Sequence, residues 1–219
     1  MRDSIIDYIR RNRISTTEVA DALGKTGSLP DVRAINRGHF RVGKIFWAYA
    51  FGETNWHVHE QVQRVQEGDI VLVENFECGD RAIFGDLVSK YLLLYRQASA
   101  VVVRGALRDS HRLIKENWPI WCRGFNPVGC FNSPKEVSIP SENLEEKRAH
   151  YDGAIAVCDD TGVVIVPKHQ HNQEFLRRLE QIEELEDKWY ECVDRLKWST
   201  FETVCLRKYE SSPRLPEKE

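Results

Sequence analysis

Two short segments bring together residue types able to do chemistry on a small acid. Gly85-Asp86-Leu87 stands at the expected start of a helix, and Arg108-Asp109 lies just beyond the following apolar, strand-like run. In an open α/β sheet both places fall at the ligand-binding edge, where amides at a helix start lack partners within the helix and attract anions. A guanidinium such as Arg108 can fork onto a carboxylate, while Asp109 can give one hard oxygen to magnesium, which keeps several waters and takes only one or two protein carboxylates. Asp86 would orient those waters. By spacing alone, Arg108 and Asp109 also read as a turn with a helix N-cap, because Asp favours caps and adjacent Arg-Asp pairs are common.

Other constellations carry weaker signals. His57-x-His59 and His169-x-His171 would each present two imidazoles on one face if extended, a start for zinc, but neither has a cysteine nearby. Asp109-Ser110-His111 holds acid, nucleophile and base types, yet sequence neighbours cannot line up as a relay. Trp47, Trp56, Trp118 and Trp121 lie in apolar runs and read as core, and Glu180, Glu183, Glu184 and Glu186 as a solvated helix face.

The elements that must position these residues follow from periodicity. Residues 3–24 predict two short helices, the second opened by the capping box Ser15-Thr16-Thr17-Glu18 and closed by Gly24. His39 to Phe51 predicts a long strand and Ile70-Val71-Leu72-Val73 a buried one, whereas Gly79 to Gly85 reads as a loop. Leu87, Tyr91, Leu94 and Tyr95 give Asp86 to Gln97 a helical face. A strand at Ala100–Val103, a helix around Leu113 and Ile114, and a strand at Pro119–Cys122 complete a β-α-β-α-β order that implies parallel pairing. Ala154–Val157 and Gly162–Val166 flank the hairpin signal Asp159-Asp160-Thr161, and a long charged helix from about Gln173 carries Phe175, Leu179, Ile182 and Leu185 on one stripe.

Composition narrows the function classes. The 219 residues carry 31 Lys plus Arg against 34 Asp plus Glu, a net charge of -3 that supplies no broad basic surface for nucleic-acid phosphates. No run approaches the roughly 18 apolar residues of a membrane span. Six scattered cysteines without a C-x-x-C pair fit free thiols in a reducing cytoplasm, and the chain reads as soluble and unprocessed.

Four stretches taken in order, Ala82-Ile83-Phe84-Gly85-Asp86-Leu87, Val101 to Asp109, Pro119-Ile120-Trp121-Cys122-Arg123-Gly124 and Asp159 to Pro167, resemble the family that unites the ribonuclease E inhibitor protein A with 4-hydroxy-4-methyl-2-oxoglutarate aldolases. Ser15 to Leu23 and Glu67 to Val73 fit the same pattern, so the likeness spans roughly residues 14–185. It implies an α/β fold, a layered α/β/β/α sandwich with mixed sheets of the phosphohistidine-domain type. Residues 1–210 would form one domain with a C-terminal helical extension, and residues 211–219 a disordered tail. It further implies trimers or trimer pairs, and a magnesium- or manganese-dependent lyase acting on a pyruvate-like oxo acid.

By position, Asp109 would be the metal ligand, Arg108 the residue gripping the oxo acid, and Asp86 the acid holding the metal's waters. The amides around Gly85, Leu87 and Val88 would bind the pyruvyl carboxylate. The sequence departs from the family at Arg104, where Asp or Asn is common, and at Arg112, where the aldolase pattern has an acid; the interval from Gly85 to Arg108 also runs a residue longer. The change at Arg112 favours the alternative of a non-catalytic, protein-binding regulator of the ribonuclease E inhibitor type, while Asp86, Arg108 and Asp109 favour chemistry. Methyl transfer from S-adenosylmethionine is disfavoured, since no Gly-x-Gly-x-Gly loop follows a first strand.

Overall fold

The computed structural model describes residues 1–211. The chain opens with helices α1 (Arg2–Asn12) and α2 (Thr16–Ala22). The Ser15 backbone N–H donates to the Glu18 carboxylate at 2.6 Å, and the Glu18 backbone N–H donates to the Ser15 hydroxyl at 3.2 Å. That reciprocal pair satisfies two amides which would otherwise lack partners at the helix start.

After the two-residue strand β1 (Arg33–Ala34) come the long β2 (Arg41–Phe51), the short helix α3 (Trp56–Gln61) and β3 (Ile70–Phe76). Strand β4 (Ala82–Phe84) leads into α4 (Asp86–Lys90), which widens into a single π-type turn at Tyr91–Tyr95 before β5 (Ala100–Leu107). Then follow α5 (Ser110–Lys115), β6 (Ile120–Phe125), α6 (Ser141–Tyr151), β7 (Ile155–Cys158), β8 (Val163–Val166) and α7 (Gln173–Asp194).

Strand order is β1-β6-β5-β3-β2-β7-β8, with β4 added beside the far end of β5. Pairing is parallel from β2 through β3 and β5 to β6, and antiparallel at both margins. Strand β2 belongs to two sheets: Arg41–Lys44 pair with β7 and Ile45–Phe51 with β3. Gly43, next to the changeover, admits the Gly68 carbonyl to 2.6 Å of the place a Cβ would occupy, so only glycine fits.

Alternation along the strands sorts their side chains into three cores, and those cores define four layers. Val71, Val73, Val101 and Val103 face α3, α4 and α5. Trp47, Leu72, Val102 and Trp121 meet Ala156, Cys158, Val163 and Ile165 between the two sheets. Ile155, Val157, Val164 and Val166 pack on α1, α2 and α7 through Ile5, Ile9, Phe175 and Leu179. This is the α/β/β/α arrangement the resemblance implies.

Several expectations need correction. The expected loop at residues 79–85 contains β4, whose three residues are too few to show alternation. His57 and His59 lie on α3, so the extended pair that zinc would need does not form. Trp56 is 43% exposed rather than core, because it occupies the first, solvent-facing position of α3. Of the expected tail, Ser211 ends a helical turn (Lys208–Ser211) and residues 212–219 lie outside those described.

Candidate active site

Strands β4 and β5 run parallel, pairing Phe84 with Leu107, and the Arg108 amide donates to the Phe84 carbonyl at 3.0 Å. Their ends therefore deliver Gly85-Asp86 and Arg108-Asp109 to one place. Asp109 takes a left-handed backbone (φ 59°, ψ 35°) and its carbonyl opens α5, accepting the Arg112 and Leu113 amides at 3.0 and 3.2 Å. Its side chain makes no cap bond to α5. Instead Asp109 Oδ2 accepts the Asp86 backbone N–H at 3.3 Å, with Arg108 Nε 3.6 Å away. The simple capping reading is thus not what this carboxylate does.

Gly85 makes this approach possible: a Cβ there would sit 2.0 Å from Asp109 Oδ2 and 2.8 Å from Arg108 Cγ. Its carbonyl accepts the buried Ser89 hydroxyl at 2.9 Å, which fixes the first turn of α4. Val88 is buried against the helix-side core, while Leu87 is 73% exposed at the mouth of the site. The Arg108 guanidinium lies along the connection after β6, where a Cβ on Gly129 would come within 2.7 Å of it.

Arg112 reaches across from α5 to bind Asp86 Oδ2 at 2.6 Å. That hydrogen bond, reinforced by the guanidinium charge, holds the Asp86 carboxyl below the usual carboxylate range. Asp86 and Arg112 line a cleft of about 270 Å³ together with Lys90, Lys115, Glu116 and Trp118. Lys90 and Lys115 were missed by sequence reasoning, although their signal was present: Lys90 lies four residues after Asp86, and Lys115 three after Arg112, which is same-face helical spacing.

Arg104, the other departure, does not enter this cleft. It shares the inter-sheet face of β5 with Val102 and pairs with Glu74 Oε1 at 2.8 Å. The histidine pairs are likewise elsewhere. His57 Nε2 meets the Lys135 carbonyl at 2.9 Å, and His171 Nε2 meets the Val166 carbonyl at 3.3 Å with its basicity lowered by burial. No hydrogen-bond relay joins Asp109, Ser110 and His111.

Among the described residues no group of three or more His, Cys, Asp or Glu is arranged to hold a metal ion. The donors at the site are the part-exposed carboxylates of Asp109 and Asp86, hard oxygens without sulfur or imidazole. Such a set fits magnesium or manganese retaining most of its waters, and suits zinc poorly. Asp109 is the better placed of the two, since Arg112 already engages Asp86.

A Legionella pneumophila protein, DlpA, is 22% identical over 178 residues, which are 76% of this chain but 28% of DlpA, so the chain spans under a third of that relative's length. The candidate 4-hydroxy-4-methyl-2-oxoglutarate aldolase of Halalkalibacterium halodurans is 29% identical over 178 residues, covering 78% of this chain and 81% of its own. An uncharacterized Pseudomonas syringae protein of known structure superposes with a TM-score of 0.70 at 23% identity, over 92% of this chain and 96% of that one. RraAS2 of Streptomyces coelicolor, described as an unusual member of the RNase ES inhibitor RraA protein family, gives 0.65 at 21% identity, over 88% and 96%. At these identities the structural likenesses establish the fold. A family model described as Aldolase/RraA matches residues 16–165, and the chain belongs to the RraA-like family, which includes both aldolases and ribonuclease E inhibitors.

Proposed function

We propose that this protein is a magnesium- or manganese-dependent carbon–carbon lyase that cleaves a 4-hydroxy-2-oxo acid to pyruvate, with oxaloacetate decarboxylation as a side activity. The observation that carries this reading is the Asp109 carboxylate, turned away from its own helix and held beside Arg108 at the start of α4. Family membership and the name of the H. halodurans relative support it.

Retro-aldol cleavage removes a proton from the 4-hydroxyl, breaks the C3–C4 bond and returns a proton to C3 of the departing pyruvate. A cation held by Asp109 would supply Lewis-acid stabilisation for the negative charge that gathers on the 2-oxo oxygen. Arg108 forks onto the substrate carboxylate and adds hydrogen bonds to the same developing charge. The amides of Leu87 and Val88, in the first turn beyond Gly85, hold the carboxylate from the other side. Asp86 is the proton-handling group: with its pKa held low it is ionised at neutral pH and serves as a base, through water, toward the 4-hydroxyl. The protein works in the cytoplasm as a homotrimer or a pair of trimers, with no direct nucleic-acid partner.

One observation favours the rival reading of a protein-binding regulator: the 2.6 Å pair in which Arg112 engages Asp86, the group needed for proton transfer. Pyruvate release from oxaloacetate, followed with and without added magnesium, separates the two. The lyase reading expects magnesium-dependent turnover that a chelator abolishes. The regulator reading expects pyruvate at the rate of a protein-free blank.

A further inference from the structure

A second cavity, of about 380 Å³, lies on the inter-sheet side of β5, across the sheet from α4 and α5. Loop residue Leu29, Tyr151 at the end of α6, and Ile165 on β8 give it apolar walls, and His150 and His169 stand among its lining residues. Arg104 supplies its charged group. No residue lining the cavity is acidic. The volume lies within the range of roughly 300–1,000 Å³ typical of small-molecule sites.

The charges around Arg104 do not balance. Glu74, only 4% exposed, accepts Arg104 Nη1 at 2.8 Å and the Trp47 indole N–H at 3.0 Å, with Lys147 Nζ 3.8 Å away. A single carboxylate therefore meets two cations, and one positive charge is left over. Arg104 Nε is buried with no hydrogen-bond acceptor in the chain. That nitrogen has no accessible surface, so a ligand in the cavity meets the guanidinium through its other nitrogens, the side chain as a whole being 25% exposed.

We propose that this cavity binds a small organic monoanion, a carboxylate on a compact apolar body, with Arg104 taking the carboxylate. The carboxylate accepts from the part-exposed guanidinium and offsets the surplus charge, and the apolar body replaces water against Leu29, Tyr151 and Ile165. A bare inorganic anion would meet the charge and leave those walls wet. The site is separate from the cleft at Asp86, because Arg104 projects between the sheets whereas Asp86 and Arg112 lie in the helical layer.

Calorimetric titration of the full chain with benzoate, and with benzyl alcohol as its uncharged counterpart, tests this. Saturable benzoate binding without benzyl alcohol binding is expected. Removing both members of the internal pair together, Glu74→Gln with Arg104→Gln, avoids an orphaned buried carboxylate and should weaken benzoate by about tenfold or more. Arg108→Ala should leave benzoate binding unchanged, which distinguishes the site from the substrate cleft. If the double variant does not fold, Ser28→Trp, which obstructs the cavity from an exposed lining position, should abolish binding instead. Absence of saturable binding to the parent, unchanged affinity in the folded variants, or loss on Arg108→Ala would each overturn the proposal.

Discussion

Asp109 gives the site its character because its carboxylate faces α4 while its carbonyl starts α5. One residue thereby ties two helix starts to a single point, and Arg108 shares that point through its own Nε. If the guanidinium meets charge that develops during cleavage, it stabilises the transition state more than bound substrate. Arg108→Lys keeps the charge and loses the planar fork, so turnover should fall by about tenfold or more with little change in melting temperature. A large loss of stability with unchanged turnover would make Arg108 a structural brace. Arg112 permits a test by pH. Its hydrogen bond depresses the Asp86 pKa, so Asp86 is ionised down to lower pH than an ordinary carboxyl. Arg112→Ala should therefore move the acid limb of the rate profile to higher pH. The pair is largely exposed on the Arg112 side, and its small stabilising effect is present above the ordinary carboxylate pKa and lost as pH falls through the depressed value. Asp86, Arg108 and Asp109 were legible in the sequence as residue types at strand ends. The Asp86–Arg112 pair was not, since it joins positions 26 apart and appears only once β4 is set beside β5.

At the scale of elements, alternation and capping exposed most of the frame. The capping box at Ser15, the apolar stripe of α7, the alternating run of β2 and the continuous apolar runs of β3 and β5 all form where the sequence places them. Two short elements complete neither pattern: β4 reads as loop, and α3 carries no apolar stripe. Arg104 shows a different limit. Its position after Val103 fixes that it faces away from Val103, but which face of β5 carries helices is set by crossover connections outside that run. The four-layer account makes a quantitative claim about α7, which covers the outer face of β7 and β8 through the fully buried Phe175. Phe175→Ala should lower unfolding free energy by about 3–5 kcal/mol in a denaturant titration. A change below about 1 kcal/mol would mean α7 contributes little to that core.

For the whole molecule, the layer bearing the site exposes several large apolar side chains. Leu87, Leu94 and Ile114, on α4, the turn after it and α5, are 73%, 54% and 51% exposed. With the exposed Tyr95 they lie on the elements that carry the cleft, which Leu94 lines beside mostly charged residues, a composition suited to contact between copies of the chain. Light scattering at micromolar concentration should give the mass of a trimer or hexamer, and a monomeric mass would refute self-association. No helix among the described residues is long and apolar enough to cross a membrane. If Asp109 holds the cation on which the proposed carbon–carbon cleavage depends, pyruvate release from oxaloacetate in magnesium must differ between the parent and Asp109→Ala. The parent should turn over and a folded Asp109→Ala should release no pyruvate above the blank; equal rates from the two proteins would remove Asp109 as the ligand.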